Sequence, residues 1–144
     1  VIEMALTENE LWYSNIVPVV FTRFKAVMRK HLSQDYPKLK IIAPNESFAP
    51  SNFPTIWLRL VDMRERGNGL DFGAIEAFTV TLQVDTITLN ADDTERIRNY
   101  AIKVLHDIGF SAFSITPVMR DGNKWNGYAR FRRLVQESDM TFTE

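Results

Sequence analysis

Between positions 73 and 110 the chain reads GAIEAFTVTLQVDTITLNADDTERIRNYAIKVLHDIGF, one strand followed within a few residues by one helix. Phe78, Val80, Leu82 and Val84 alternate with Ala77, Thr79, Thr81, Gln83 and Asp85. Alternation with period two sends the first set to a buried sheet face and the second to the opposite one. The β-branched residues Thr79, Val80, Thr81, Val84, Thr86 and Ile87 suit a pleated surface. Beyond the turn, Ile97, Tyr100, Ala101, Val104, Leu105 and Ile108 recur at helical spacing and make one apolar stripe. Asn90 is placed to cap this helix, and Asp92, Asp93 and Glu95 complement the positive end of its dipole. Gly109 can adopt the left-handed conformation that ends a helix. A strand with one apolar face, joined this closely to a helix with one apolar stripe, predicts that the helix lies on the strand.

The flanking segments extend the pattern. Residues 5–14 are polar apart from Trp12 and Tyr13 and read as a short helix or an ordered arm. Val17, Val20, Phe21, Phe24, Val27, Met28 and His31 predict a helix over about 16–32, capped by Asn15 or Ser14. Pro18 falls in its first turn, where a missing N–H is tolerated, and Arg23, Lys25, Arg29 and Lys30 lie on its far face. Residues 39–43 form a short strand candidate. The stretch PNESFAPSNFP (44–54) is a loop whose Phe48 and Phe53 are expected to pack against the body. In the strand that follows, Ile56, Leu58, Leu60 and Asp62 oppose Trp57, Arg59, Val61 and Met63, so both faces are partly apolar, as in a central strand or an oligomer contact.

The glycine-rich stretch RERGNGLDFG (64–73) then connects two antiparallel strands, the second starting near Ala74. After the central helix, residues 110–118 read as a strand that Pro117 marks as an edge or an end. Residues 121–127 form a turn and 128–137 the last strand. On that strand Ala129, Phe131 and Val135 share one face with an intruding Arg133, and Tyr128, Arg130, Arg132 and Leu134 share the other. The tail, 138–144, either extends this strand or pairs elsewhere. The order helix, three strands, helix, two strands, without internal repeats, predicts a single α+β domain over 1–144. Its sheet is mostly antiparallel, with both helices on one face.

Bulk properties narrow the function classes. A chain of 144 residues with 45% hydrophobic and 24% charged residues suits one globular domain with a substantial core. A formal net charge of −1 argues against a dedicated nucleic-acid binder but allows a local basic patch. The absence of cysteine removes disulfides, thiolate metal sites and a cysteine nucleophile. No apolar run reaches the ~20 residues of a membrane-spanning helix. The opening VIEMALTENELWY holds acids and no basic run, so a signal peptide is not expected, and whether Val1 to Glu3 are native stays open.

The sequence holds no HExxH, GxGxxG, Walker lysine or GxSxG pattern. His31 and His106 sit near helix ends, as partners of the terminal carbonyls rather than as ligands. Asp92 and Asp93 are expected at a helix start on electrostatic grounds alone. Glu65, Asp71 and Glu76 flank the glycine-rich loop without the spacing of a calcium loop. No catalytic residue, cofactor or metal is expected. Arg130, Arg132 and Arg133, preceded by Arg120 and Lys124, form a basic cluster. It reads either as a solvated face that blunts a sheet edge or as a surface for an acidic partner protein, with direct DNA contact as a third reading. Trp12, Tyr13, Trp57 and Trp125 are candidate surface aromatics, and aromatics beside arginines favour protein–protein contact. The interface residues expected on this basis are Arg64, Arg66, Asp71, Arg130, Arg132, Arg133, Trp57 and Trp125.

The helix ending in Ile108, Gly109 and Phe110, the short strand after it, and the final Tyr128, Arg130, Phe131 and Arg132 together resemble the C-terminal half of the tail terminator proteins of long-tailed bacteriophages. That group shares a "GF" step and a last strand of the form Y-x-x-x-R-Y/F-R; here the aromatic and the first arginine are two positions apart. The N-terminal helix, the strand entry FPTIWLRLVD (53–62), the glycine-rich turn and the strand AFTVTLQVDT follow in the same order. The resemblance implies a small α+β domain that forms a ring, usually of six copies, on the head-proximal end of the tail tube. The ring would end tube polymerisation and dock the tail to the head-completion protein of the neck. Implied partners are copies of itself, the tail tube protein and the head-completion or connector protein. DNA would pass only as cargo through the lumen, no membrane would be involved, and the location would be the virion, with the host cytoplasm during assembly. Alternatives are a connector protein of the same neck, a small binding module using the arginine strand, and a small hydrolase or cofactor binder using the loop acids.

Overall fold

The computed structural model describes residues 8–46, 53–67 and 75–141. A short 3-10 helix, Glu8–Asn15, leads into α1 (Ile16–Leu32). Strands β1 (Lys40–Ile42), β2 (Thr55–Arg66) and β3 (Ala77–Thr88) precede α2 (Ala91–Asp107). Strands β4 (Ser111–Ile115), β5 (Met119–Asp121) and β6 (Lys124–Gln136) follow, and a 3-10 turn, Glu137–Thr141, takes the place of a strand extension. The fold is α+β. The sheet runs β1-β2-β3-β6-β4, with β5 also paired to β6, and every pairing is antiparallel except the parallel β1–β2.

Both helices cover one face. Val80, Leu82 and Val84 of β3, Ile56 and Leu58 of β2, and Ala129, Phe131 and Val135 of β6 join one core with Ile16, Val20, Phe24, Met28 and Leu32 of α1 and Ile97, Ala101, Val104 and Leu105 of α2. The buried row of α1 is thus a strict i, i+4 series. Val17, Phe21 and Val27 flank it half-buried, and His31 is exposed. Trp12, expected at the surface, is buried instead: its indole N–H donates to the Ile75 carbonyl at 3.3 Å and its ring meets Phe78 edge-on at 6.0 Å. Asn15 makes no side-chain cap for α1, and the Ser14 hydroxyl turns back to the Leu11 carbonyl.

The ends of α2 follow the expected chemistry. Asn90 Oδ1 accepts the Asp93 N–H at 2.8 Å. The Thr88 and Thr94 hydroxyls meet at 2.7 Å, and the Thr94 hydroxyl also donates to the Asn90 carbonyl. At the other end Gly109 takes φ +90°. The Phe110 N–H reaches the Leu105 carbonyl and the Gly109 N–H the His106 carbonyl, both at 2.9 Å, a Schellman closure. The apolar stripe differs at two positions. Tyr100 lies outside the core, near the His31 ring, and Arg98 is buried at 7% exposure. The Arg98 guanidinium donates to the Thr116 carbonyl and lies over Gly127, where a Cβ would stand 3.1 Å from Nη1. An arginine reads as surface by composition, and only the missing side chain on the facing strand makes room for it.

Two bulges set which residues face away from the helices. β2 pairs with β3 as Leu58↔Val84 and Leu60↔Leu82, then as Asp62↔Thr81 and Met63↔Val80, so Val61 is an extra residue. The inserted residue reverses the alternation. Asp62 therefore joins the Trp57 and Arg59 row and Met63 joins the core side, opposite to the uninterrupted alternation expected from sequence. β4 carries the same device: Ala112↔Phe131 is followed by Ser114↔Arg130, with Phe113 the extra residue. The expected turn over 121–127 is a tighter hairpin. Asp121 pairs with Lys124, and Gly122, the first of the two central residues, has φ +65°. β5 is consequently a strand that the sequence pattern did not separate from the loop, and β6 begins at Lys124.

Candidate functional site

The face of the sheet turned away from the helices has no element laid across it among the described residues. The register arranges its side chains in rows across β2, β3 and β6: Trp57–Asp85–Tyr128, Arg59–Gln83–Arg130, Asp62–Thr81–Arg132 and Arg64–Thr79–Leu134, with Arg66 beside Ala77 at the end. Thr81 and Gln83 are buried although no element of the described residues lies over them. The flanking long side chains of β2 and β6 lean across the central strand with their apolar stems.

Toward the Trp57 end the charged groups lie against one another or against polar and aromatic side chains. Arg59 stacks over the Trp57 ring, its guanidinium carbon 4.6 Å from the centroid, and its Nε lies 3.3 Å from the Asp85 carboxylate. Gln83 donates to both Asp85 oxygens, at 3.0 and 3.2 Å, and its carbonyl oxygen accepts from Arg130 Nε at 3.0 Å. Burial pushes the Asp85 carboxyl above its ordinary range, against the Gln83 hydrogen bonds and the nearby Arg59 and Arg130 charges.

The other end is different. Asp62, Arg64, Arg66, Thr79, Thr81, Arg132 and Leu134 line a groove of about 600 Å³. Arg64 Nε is 2.6 Å from Asp62 Oδ2, but Arg66 Nε donates to the neutral Thr79 hydroxyl at 3.1 Å. Arg132 lies with its guanidinium carbon 4.4 Å from the Phe113 ring centroid. Three guanidiniums therefore share one carboxylate among the described residues. The groove is flanked by half-exposed apolar side chains, Leu134 at 51% and Phe113 at 47%. A second depression along α2, about 640 Å³ lined by Asp92, Glu95, Arg96, Asn99, Tyr100 and Lys103, balances acid against base and shows no charge preference.

The expected interface residues separate into two groups. Arg64, Arg66, Arg130, Arg132 and Trp57 share the open face. Arg133 does not: it points to the helix side, where Nη1 donates to the Ile108 carbonyl at 2.6 Å and Nη2 lies 3.5 Å from Asp139, so it seals the end of α2. Trp125 pairs with Thr88 on that same side, and its carbonyl accepts from the Thr94 hydroxyl. Arg120 bonds the Gly122 carbonyl within the β5–β6 hairpin, and Lys124 sits over the Phe53 ring. The basic cluster of the last strand is therefore split between faces. Asp71 and Phe48, and with Asp71 the middle of the glycine-rich connection, lie outside the described residues. Arg59, Thr79, Thr81, Gln83 and Asp85 belong to the open face and were not singled out as site residues, because cross-strand register is not visible in a linear pattern.

Asp92 is exposed at the start of α2, and Asp93 accepts from the Asn90 amide and the Tyr36 hydroxyl, at 2.6 and 2.8 Å. Among the described residues no three His, Asp or Glu side chains gather as a metal site requires, and no helix is long and apolar enough to cross a membrane. No family model matches the chain, and no curated protein is significantly similar to it. Fold and site together define an α+β domain with a two-helix layer on one side of its sheet and an arginine-rich face on the other.

Proposed function

We propose that this chain is a non-catalytic assembly protein of the phage tail-terminator type. It forms a ring of about six copies on the head-proximal end of the tail tube, ends tube growth and offers a docking plane to the neck. The ring size and the partners rest on the resemblance of the "GF" step and the Tyr128–Arg132 segment. One structural observation carries the reading: two unlike strand edges at opposite sides of one sheet, each with at least one exposed apolar side chain. Among the described residues β1 pairs with the first three residues of β2 and the rest of β2 is an edge, which carries Leu60 and Val61. The opposite edge is β4, with Ile115. A closed ring needs two different, mutually complementary patches per protomer, and large exposed apolar side chains at edges favour burial against another chain.

Sedimentation velocity and native mass spectrometry of the purified chain test the ring, with a closed oligomer expected at micromolar concentration. Adding the protein to polymerising tube protein tests the cap: shorter tubes bearing an end density are expected. A chain that stays monomeric alone and on tubes, or tubes of unchanged length, overturns the proposal.

A further inference from the structure

We infer, resting on the reading of the open face as a docking surface, that the groove between Arg64, Arg66 and Arg132 binds an extended acidic peptide segment of a partner protein, with carboxylates two residues apart. Four observations converge on this. Among the described residues the groove holds three guanidiniums against one carboxylate, and Arg66 and Arg132 meet a hydroxyl and an aromatic ring. Guanidinium is at its strongest when it meets a carboxylate or phosphate with two parallel N–H donors, so these groups are under-used as they stand. Arg64 and Arg66 stand on the same face of β2 two residues apart, ~7 Å along the strand. Carboxylates at i and i+2 of an extended chain have that same spacing and point the same way. Arg132 lies two strands over, roughly 10 Å across, and is able to take a third carboxylate or the end of the segment.

The choice of a peptide over a nucleic-acid backbone follows from what surrounds the charge. Leu134 and Phe113 flank the groove as exposed apolar side chains, and the Thr79 and Thr81 residues form its floor. An alternating acidic and apolar segment fills both kinds of surface at the two-residue spacing of Arg64 and Arg66, and the aliphatic Leu134 offers a base no ring to stack on. The net charge of −1 gives a polyanion no long-range attraction to the molecule, so the site acts at contact range.

The test uses the full chain and a fluorescein-labelled octapeptide of alternating Glu and Val, with its Gln–Val counterpart and a single-stranded oligonucleotide of equal charge as comparisons. Fluorescence anisotropy should show saturable binding of the Glu–Val peptide that weakens with salt, at least about tenfold tighter than either comparison. Arg64→Gln with Arg132→Gln should weaken it at least about tenfold. Arg29→Gln with Lys30→Gln, on the exposed face of α1, should leave it unchanged. Circular dichroism and melting confirm that both variants are folded. Absence of peptide binding, equal binding of the Gln–Val peptide or the oligonucleotide, or an unaffected Arg64/Arg132 variant overturns the inference. Self-association that this variant abolishes without peptide assigns the groove to a second copy and overturns it as well. A ring that ignores the peptide sinks only this inference, and a monomer that binds it sinks only the ring.

Discussion

Asp85 shows how much a single position is asked to balance. It is paired across the strands with Trp57 and Tyr128 and neutralised by Arg59 and two bonds from Gln83, yet burial still holds its carboxyl above the ordinary value of 3.8. In the pH window just above that value the native state keeps a proton that the unfolded chain has released. The native state there binds more protons than the unfolded one, so stability falls as pH rises through the window. Asp85→Asn carries no such titration. The melting temperature of Asp85→Asn, relative to the native chain, should therefore climb as pH rises through the window above 3.8 and level off once the native carboxyl has also ionised. A difference that is flat with pH, followed by calorimetry, would count against a desolvated carboxyl. The buried Arg98 is the opposite case, a cation placed by the void over Gly127 and by the Thr116 carbonyl rather than by an acid.

The helices and strands differ in how they are set. α2 is fixed by local chemistry at both ends, and its C-terminus is also held from a distance. A Cβ on Gly109 would stand 2.9 Å from Arg133 Nε in a backbone conformation with φ +90°, which an L side chain adopts at a penalty. Gly109→Ala should thus destabilise the fold by about 2 kcal/mol or more in urea denaturation, through backbone strain and displacement of the Arg133–Ile108 bond. A loss below about 0.5 kcal/mol would show that this closure contributes little. These local signals explain why both helices, the core rows of β3 and β6 and the α+β class were legible in the sequence. The rest depended on contacts between distant segments. Periodicity carries no mark of an inserted residue, so the Val61 and Phe113 bulges were invisible and the faces of Asp62 and Met63 came out exchanged. Arg133 and Arg132 are adjacent in the chain, and adjacency grouped them in one basic cluster although period two already set them on opposite faces. The strand's alternation sends them to opposite sides, one to the helix end and one to the groove. Trp12 gave no sign that its indole would find the Ile75 carbonyl, 63 positions away.

The whole molecule is lopsided. A helical layer closes one side of the sheet, while the opposite side and both lateral edges present arginines and apolar side chains together. If the edges join neighbouring copies, a charge there should break the assembly and spare the protomer. Ile115→Asp sits at 52% exposure, so its melting temperature should stay within a few degrees of the native value. Its sedimentation should shift to the monomer, and an unchanged oligomer would place the contact elsewhere. The Val61 bulge has a further consequence. Up to Leu60 the even-numbered residues of β2 face the helices; beyond the bulge they face the groove, which is the only reason Arg64 and Arg66 stand beside Arg132. Were the bulge to straighten with Val61 kept in the ladder, two guanidiniums would turn toward the hydrocarbon interior and Met63 outward, with no change in composition; excising Val61 instead leaves a regular ladder with every other face unchanged. Drift in this strand should therefore absorb the loss of the one unpaired residue, whereas an insertion in the regular ladder beyond it would exchange the two faces.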